Sequence, residues 1–112
     1  MQMTVNGINI HYTLDGPVTG PVVMLSNSLA SNLTMWNPQM PVLTARYRVL
    51  RYDTRGHGGT KAPVGPYTLE TLAEDARGLL HALGIPRVHF VGLSMGGMIG
   101  QFLGLESPEL LH

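Results

Sequence analysis

Residues Val88 to Gly100, reading Val-His-Phe-Val-Gly-Leu-Ser-Met-Gly-Gly-Met-Ile-Gly, constrain this chain more than any other stretch. They open as a short apolar, β-favouring run and close as a small-residue segment that can wind only as a helix. Between the two sit Gly92, Ser94 and Gly96, spaced G-x-S-x-G. A serine at a sharp strand-to-helix turn points its hydroxyl away from the sheet, beside the free N–H groups of the first helical turn. The chain doubles back tightly there, so the flanking positions must be small, as glycines are. Ser94 is therefore the candidate nucleophile, and the N–H of Met95, first in its helix, is a candidate donor to an oxyanion.

The remaining chain reads as support for that turn. Met1 to Leu14 is expected to form a hairpin about Asn6-Gly7, with Ile8, Ile10, Tyr12 and Leu14 alternating with polar residues. Pro21 to Leu25 is a continuous apolar run, as in a strand buried on both faces, and it leads into the polar loop Ser26-Asn27-Ser28-Leu29. Asn32 to Thr44 contains Trp36 and is broken by Pro38 and Pro41, which leaves room for one short helix. Tyr47 to Tyr52 is another strand, followed by the loop Asp53 to Gly59, and Lys61 to Pro66 is a Pro/Gly loop. Thr68 can cap a helix in which Leu69, Leu72, Ala73, Ala76, Leu79, Leu80 and Leu83 share one face, and Gly84 ends it. Arg87 to Leu93 is the strand before the turn, and the helix after it runs to about Ser107, ahead of Pro108.

Strands alternating with helices at this spacing predict an α/β domain over residues 1–112, with a mostly parallel sheet entered by an antiparallel hairpin. Ligands bind at the carboxyl ends of strands in such sheets. Ser26–Ser28, Asp53–Gly59 and Ser94 all fall at those ends. The second oxyanion donor is expected from the loop after the earlier buried strand, at the N–H of Ser28, with Leu29 next in line. Asn27, Leu29 and Trp36 are the residues expected against substrate. Asp53 and Arg55 read as a charge-assisted tie across their loop. His57, between two glycines, reads as a holder of that loop, and as a substitute base only if it can reach Ser94. His11, His81 and His89 read as structural or surface residues.

A formal net charge of zero, with no basic run, argues against nucleic acid and anionic membrane surfaces as partners. No apolar run approaches the roughly 20 residues of a membrane span, and the first residues lack the pattern of a signal peptide. With no cysteine and no metal-ligand spacing, neither a metal nor a cofactor is expected, and the composition fits a cytoplasmic protein.

Four segments carry a resemblance to the α/β-hydrolase fold and, within it, to the 3-oxoadipate enol-lactonase group. They are Leu25-Ser26-Asn27-Ser28-Leu29, Met35-Trp36, Arg51-Tyr52-Asp53-Thr54-Arg55-Gly56-His57-Gly58, and Gly92-Leu93-Ser94-Met95-Gly96-Gly97-Met98-Ile99-Gly100-Gln101. The resemblance implies hydrolysis of an enol-lactone from aromatic-compound breakdown, the β-ketoadipate route, with Ser94 as nucleophile and Ser28 and Met95 as N–H donors. Haloperoxidase-like and general carboxylesterase members share most of these segments, so both remain alternatives.

Members of that family are more than twice as long, and their triad runs serine, then acid, then histidine. After Ser94 only Glu106, Glu109 and His112 are available. Glu106 lies twelve residues along a helix from Ser94, about 18 Å at 1.5 Å per residue, far outside the reach of a general base. The chain is therefore expected to be the N-terminal half of a hydrolase, lacking the lid, the last strands, the triad acid and the histidine. Weak activity follows, or else a catalytically silent scaffold module. The family's elbow strand is internal, so Val88 to Leu93 is expected as an exposed apolar edge through which the chain forms homo-oligomers.

Overall fold

The structure is a computed structural model that describes residues 1–63 and 66–112. The part of the Lys61–Pro66 loop reading that concerns positions 64 and 65 lies outside the described residues. Strands β1 (Gln2–Val5) and β2 (Ile8–Asp15) form the expected antiparallel hairpin. Asn6 and Gly7 both take positive φ, 49° and 80°, the handedness that a two-residue turn needs to match the twist of its strands. Strand β2 then pairs antiparallel with β4 (Arg48–Tyr52), setting Tyr12 opposite Tyr52. Strand β3 (Val22–Ser26) runs parallel to β4 on one side and to β5 (His89–Gly92) on the other, giving the order β1-β2-β4-β3-β5.

The continuous apolar run of β3 has its reason in the two faces it buries. Met24 joins Leu50 in a core against helices α2 (Leu69–Ala82) and α3 (Met95–Glu106), through Leu72, Leu79, Leu80, Ile99 and Leu103. Val23 and Leu25, on the other face, pack with Val49 against Trp36, Met40 and Leu43. Thr68 caps α2 by accepting a hydrogen bond from the Thr71 N–H at 3.2 Å, and Gly84 follows with φ of 69°. Arg55 reaches from the loop after β4 to Asp75 of α2 with two bonds of 2.8 and 2.9 Å. Its partner is thus in the helix, not Asp53 as a tie within the loop would have it.

Two further expectations change. The stretch from Asn32 to Thr44 is a 3₁₀ turn, Leu33–Gln39, followed by the short helix α1, Met40–Thr44. Pro38 lies inside the 3₁₀ turn and removes a donor there, while Pro41 falls in the first turn of α1, where a missing N–H costs nothing. The edge of β5 is also not bare along its whole length. Val88 donates to the Leu110 carbonyl at 2.8 Å and accepts from the His112 N–H at 3.0 Å, pairing parallel with residue 111.

Candidate active site

Ser94 has φ of 55° and ψ of −112°, a conformation that side chains rarely adopt and that costs about 1–3 kcal/mol. Backbone bonds hold it there. Leu93 donates to the Ser26 carbonyl at 3.2 Å, Gly96 to Leu93 at 3.0 Å, and Met98 to Ser94 at 3.1 Å. The glycines are steric necessities. A Cβ on Gly92 would overlap the Gly96 carbonyl, and one on Gly96 would overlap the Ser26 carbonyl and stand 3.0 Å from the Asn27 oxygen. The end of β3 and the first turn of α3 therefore touch backbone to backbone. Ser94 itself is exposed, and among the described residues its hydroxyl has no hydrogen-bond partner. The Met95 side chain turns into the core, while its N–H has no acceptor among the described residues. The positive end of α3 thus opens at the hydroxyl.

The loop after β3 faces this turn through a buried polar network. Asn27 is 1% exposed. Its amide nitrogen donates to the Tyr52 carbonyl at 2.8 Å and its amide oxygen accepts from the Trp36 indole at 2.8 Å. Ser26 and Tyr52 share a 2.8 Å bond between hydroxyls, and burial pushes the Tyr52 phenol up to about 12. Asn27, expected against substrate, has its side chain committed to the scaffold instead, because a buried amide must find partners for both its ends. Ser28 directs its N–H at the sulfur of Met35, 3.5 Å away. Leu29 is 66% exposed and the following Ala30 takes φ of 58°.

Trp36 lines an apolar groove of about 400 Å³ with Val23, Leu25, Val42, Leu43 and Val91. This groove lies on the sheet face opposite α2 and α3, and Ser94, Ser28 and Met95 are not among its walls. Trp36 is therefore a wall of the sheet-face groove and a donor to Asn27, two roles that its place in the sequence does not separate.

The third loop expected at the site goes elsewhere. Asp53 reaches the neighbouring loop by accepting from the Leu33 N–H at 2.7 Å, and it also accepts from Gly59 at 2.8 Å. Beyond Asp53 the loop folds over β2, where Thr60 accepts from the His11 N–H at 2.8 Å and Gly59 lies against the His11 ring. Strands β2 and β5 are three places apart in the sheet, about 14 Å at 4.8 Å per spacing. His57 is held in that loop by its bond of 3.1 Å to the Arg55 carbonyl. The loop is stitched to β2, three places from β5 in the sheet, and among the described residues no hydrogen bond joins the His57 ring to Ser94. His89 and His112 stack on each other, centroids 4.4 Å apart, at the beginning of β5, roughly 16 Å of strand from Ser94. Glu106 ends α3 and stays out of reach, as the helix spacing requires.

Among the described residues no group of three or more His, Asp or Glu side chains could hold a metal ion, and no helix is long and apolar enough to cross a membrane. Sequence reasoning missed two features. A lone asparagine after a buried strand was a usable signal for the network beneath the loop. Nothing in the sequence marks Met35 as the partner of the Ser28 N–H.

A family model described as the alpha/beta hydrolase fold matches residues 21–112. The 3-oxoadipate enol-lactonase 2 of Acinetobacter baylyi is 42% identical over 107 residues, which cover 96% of this chain and 40% of that protein. Among solved structures, the enol-lactonase from Burkholderia xenovorans LB400 superposes with a TM-score of 0.97 at 46% identity, over 100% of this chain and 44% of its own. A hydrolase from Pseudomonas aeruginosa PA01 does so with a TM-score of 0.96 at 48% identity, over 100% and 43%. The chain thus spans about two fifths of the length of these relatives.

Proposed function

The chain belongs to the α/β-hydrolase fold family, and we propose that it carries the nucleophile half of an ester- or lactone-cleaving site, with Ser94 as nucleophile. The observation that carries this reading is the conformation of Ser94. Its positive φ is maintained by backbone contacts on both sides and leaves the hydroxyl exposed at the head of α3. Strain kept at one serine, where a glycine would adopt the same turn without it, is what a nucleophile at this position would require.

In the proposed reaction the Ser94 Oγ attacks the carbonyl carbon of a small ester or lactone. The oxygen that gains charge is met by the Met95 and Ser28 N–H groups and by the positive end of α3. The carbon–oxygen bond to the leaving group then breaks, giving an acyl-serine that water hydrolyses. The proton on Oγ needs an acceptor, and among the described residues no side chain is bonded to it. Turnover is therefore expected to be slow and limited to esters with good leaving groups. Oxyanion and binding contributions alone leave roughly 10³–10⁴-fold over water when triad groups are removed. The similarity to enol-lactonases favours an enol-lactone as the substrate class, with a general carboxylester as the alternative.

The free Ser94 hydroxyl also favours a second reading, a module that keeps the scaffold and turns nothing over. Hydrolysis of p-nitrophenyl acetate by the wild type, Ser94→Ala and His57→Ala separates the two. The nucleophile reading expects a burst of phenolate in the wild type and His57→Ala and none in Ser94→Ala. Equal rates in all three would leave the silent module standing. Peroxide-dependent halogenation would instead assign the site to haloperoxidase chemistry.

A further inference from the structure

Asn6 and Gly7, which set the hairpin between β1 and β2, also carry reactive groups. Both residues are exposed, and nothing within 4 Å stands where a Gly7 side chain would be. Among the described residues the Gly7 N–H has no backbone hydrogen-bond partner. An asparagine followed by glycine can cyclise, because the next amide nitrogen meets little hindrance on its way to the side-chain carbon. The Asn6 side chain, however, is tied down. Its Nδ2 donates to Asp75 of α2 at 2.8 Å, while its backbone carbonyl accepts from Arg55 at 3.2 Å. Asp75 is 2% exposed and accepts two further bonds from the Arg55 guanidinium. The hairpin turn, the loop after β4 and α2 thus meet on one ion pair.

We propose that Asn6-Gly7 is a self-modification site, a deamidation switch that the Arg55–Asp75 ion pair restrains and whose product releases the hairpin from that pair. The Gly7 nitrogen attacks Asn6 Cγ and a C–N bond forms. The Cγ–Nδ2 bond breaks, and ammonia leaves with the proton from the Gly7 nitrogen. Water then opens the five-membered imide at either carbonyl, leaving aspartate or isoaspartate at position 6. The atom that must leave, Nδ2, is the one Asp75 holds, so its bond to a buried carboxylate has to break before ammonia departs. The product reverses that contact. A carboxylate then faces Asp75 where an amide donor stood, and two carboxylates sharing a site repel. Isoaspartate also adds a backbone methylene that a two-residue turn, with Val5 opposite Ile8, cannot absorb without losing register. Val5 lies against Gly78 of α2, so a loosened turn reaches the core at once. Strand β1 is four places from β5, so the switch acts on the scaffold and leaves Ser94 untouched.

The full chain is incubated at mildly alkaline pH, folded and in guanidinium chloride, and conversion is followed at each asparagine by peptide mass spectrometry. Asn9, Asn32 and Asn37, none followed by glycine, are internal references. Asn6 is expected to convert fastest in the unfolded chain and about tenfold more slowly in the folded one, the value of a hydrogen bond to a charged group. Arg55→Met/Asp75→Leu, which leaves no buried charge unpaired, should abolish that difference while circular dichroism shows it folded. Asn6→Asp and Asn6→Gly test the consequence, since both tolerate positive φ and both lose the donor, but only the first adds charge. The unfolding equilibrium of Asn6→Asp is expected to lie about tenfold further toward the unfolded state, slightly above the Coulomb value of a contact pair in water. Equal conversion of Asn6 in the folded and unfolded chain, or none in either, overturns the restrained site. A folded double variant that converts at the wild-type rate overturns the role of the ion pair. Equal urea midpoints for Asn6→Asp and Asn6→Gly overturn the release of the hairpin.

Discussion

Neighbouring glycines at the head of α3 should respond to the same substitution with opposite signs. A Cβ on Gly96 falls inside the Ser26 carbonyl and 3.0 Å from the Asn27 oxygen, and both obstacles are backbone atoms of the end of β3 and its loop. Neither can move without breaking the Leu93-to-Ser26 bond or the network around Asn27. A Cβ on Gly97 meets only the Gly92 oxygen at 3.5 Å, an ordinary contact. Replacing glycine by alanine within a helix gains about 0.5–1 kcal/mol in either place. At Gly97 nothing opposes this, so Gly97→Ala should stabilise by about that amount. At Gly96 overpacking costs about 1–3 kcal/mol or more, so Gly96→Ala should destabilise by about 2 kcal/mol after the helical gain. The two variants then differ by about 3 kcal/mol, roughly a hundredfold in the unfolding equilibrium. Urea unfolding followed by the fluorescence of Trp36, the single tryptophan, reads this directly. Equal midpoints for Gly96→Ala and the wild type would refute the close packing of β3 on the turn. The account of why Ser94 is strained would fall with it.

Three other outcomes follow from the same geometry. Burial holds the Tyr52 phenol at about 12, above its ordinary value of 10.0, so the folded state favours the protonated form. That contribution is complete below pH 10.0 and is lost as pH rises toward 12, up to about 3 kcal/mol; urea midpoints across that interval should fall less steeply in Tyr52→Phe. Asp75→Ala strips Arg55 of the carboxylate that raises its pKa and leaves a mostly buried guanidinium without its charge partner. A loss of about 3 kcal/mol in urea unfolding is expected, with Arg55→Met/Asp75→Leu recovering part of it. Val91 in β5, Leu93 just after it and Val42 beside the groove are exposed, so self-association through this surface is expected; light scattering on a size-exclusion column should show species larger than a monomer that dissociate on dilution, and a monomer at every concentration would remove the expectation.

Local signals explain how much of this fold the chain declares in advance. Asn6-Gly7 needs only its own backbone to set the hairpin, and the leucine spacing between Leu69 and Leu83 needs only the period of a helix to declare α2. Gly92, Ser94 and Gly96 likewise encode a turn whose tightness depends on residues a few positions apart, so the serine could be named before any coordinates. The two prolines near Trp36 warned of a broken helix, but whether the remainder became 3₁₀ or α depended on the sheet face it had to cover.

What the sequence by itself determined, then, is most of the elements, their type, and the serine at their most constrained turn. Tertiary structure decided which loops share the site. Three polar loops end neighbouring strands, yet the one bearing His57 bends toward β2, because Thr60 and Gly59 find His11 there and Arg55 finds Asp75. It also decided that Asn27 serves the scaffold and that Met35 meets Ser28, since both depend on partners from separate segments. The physical reason is one of range. Backbone conformation and hydrophobic period are properties of adjacent residues, whereas the partner of a buried amide or a free N–H is whatever packing brings within about 3 Å.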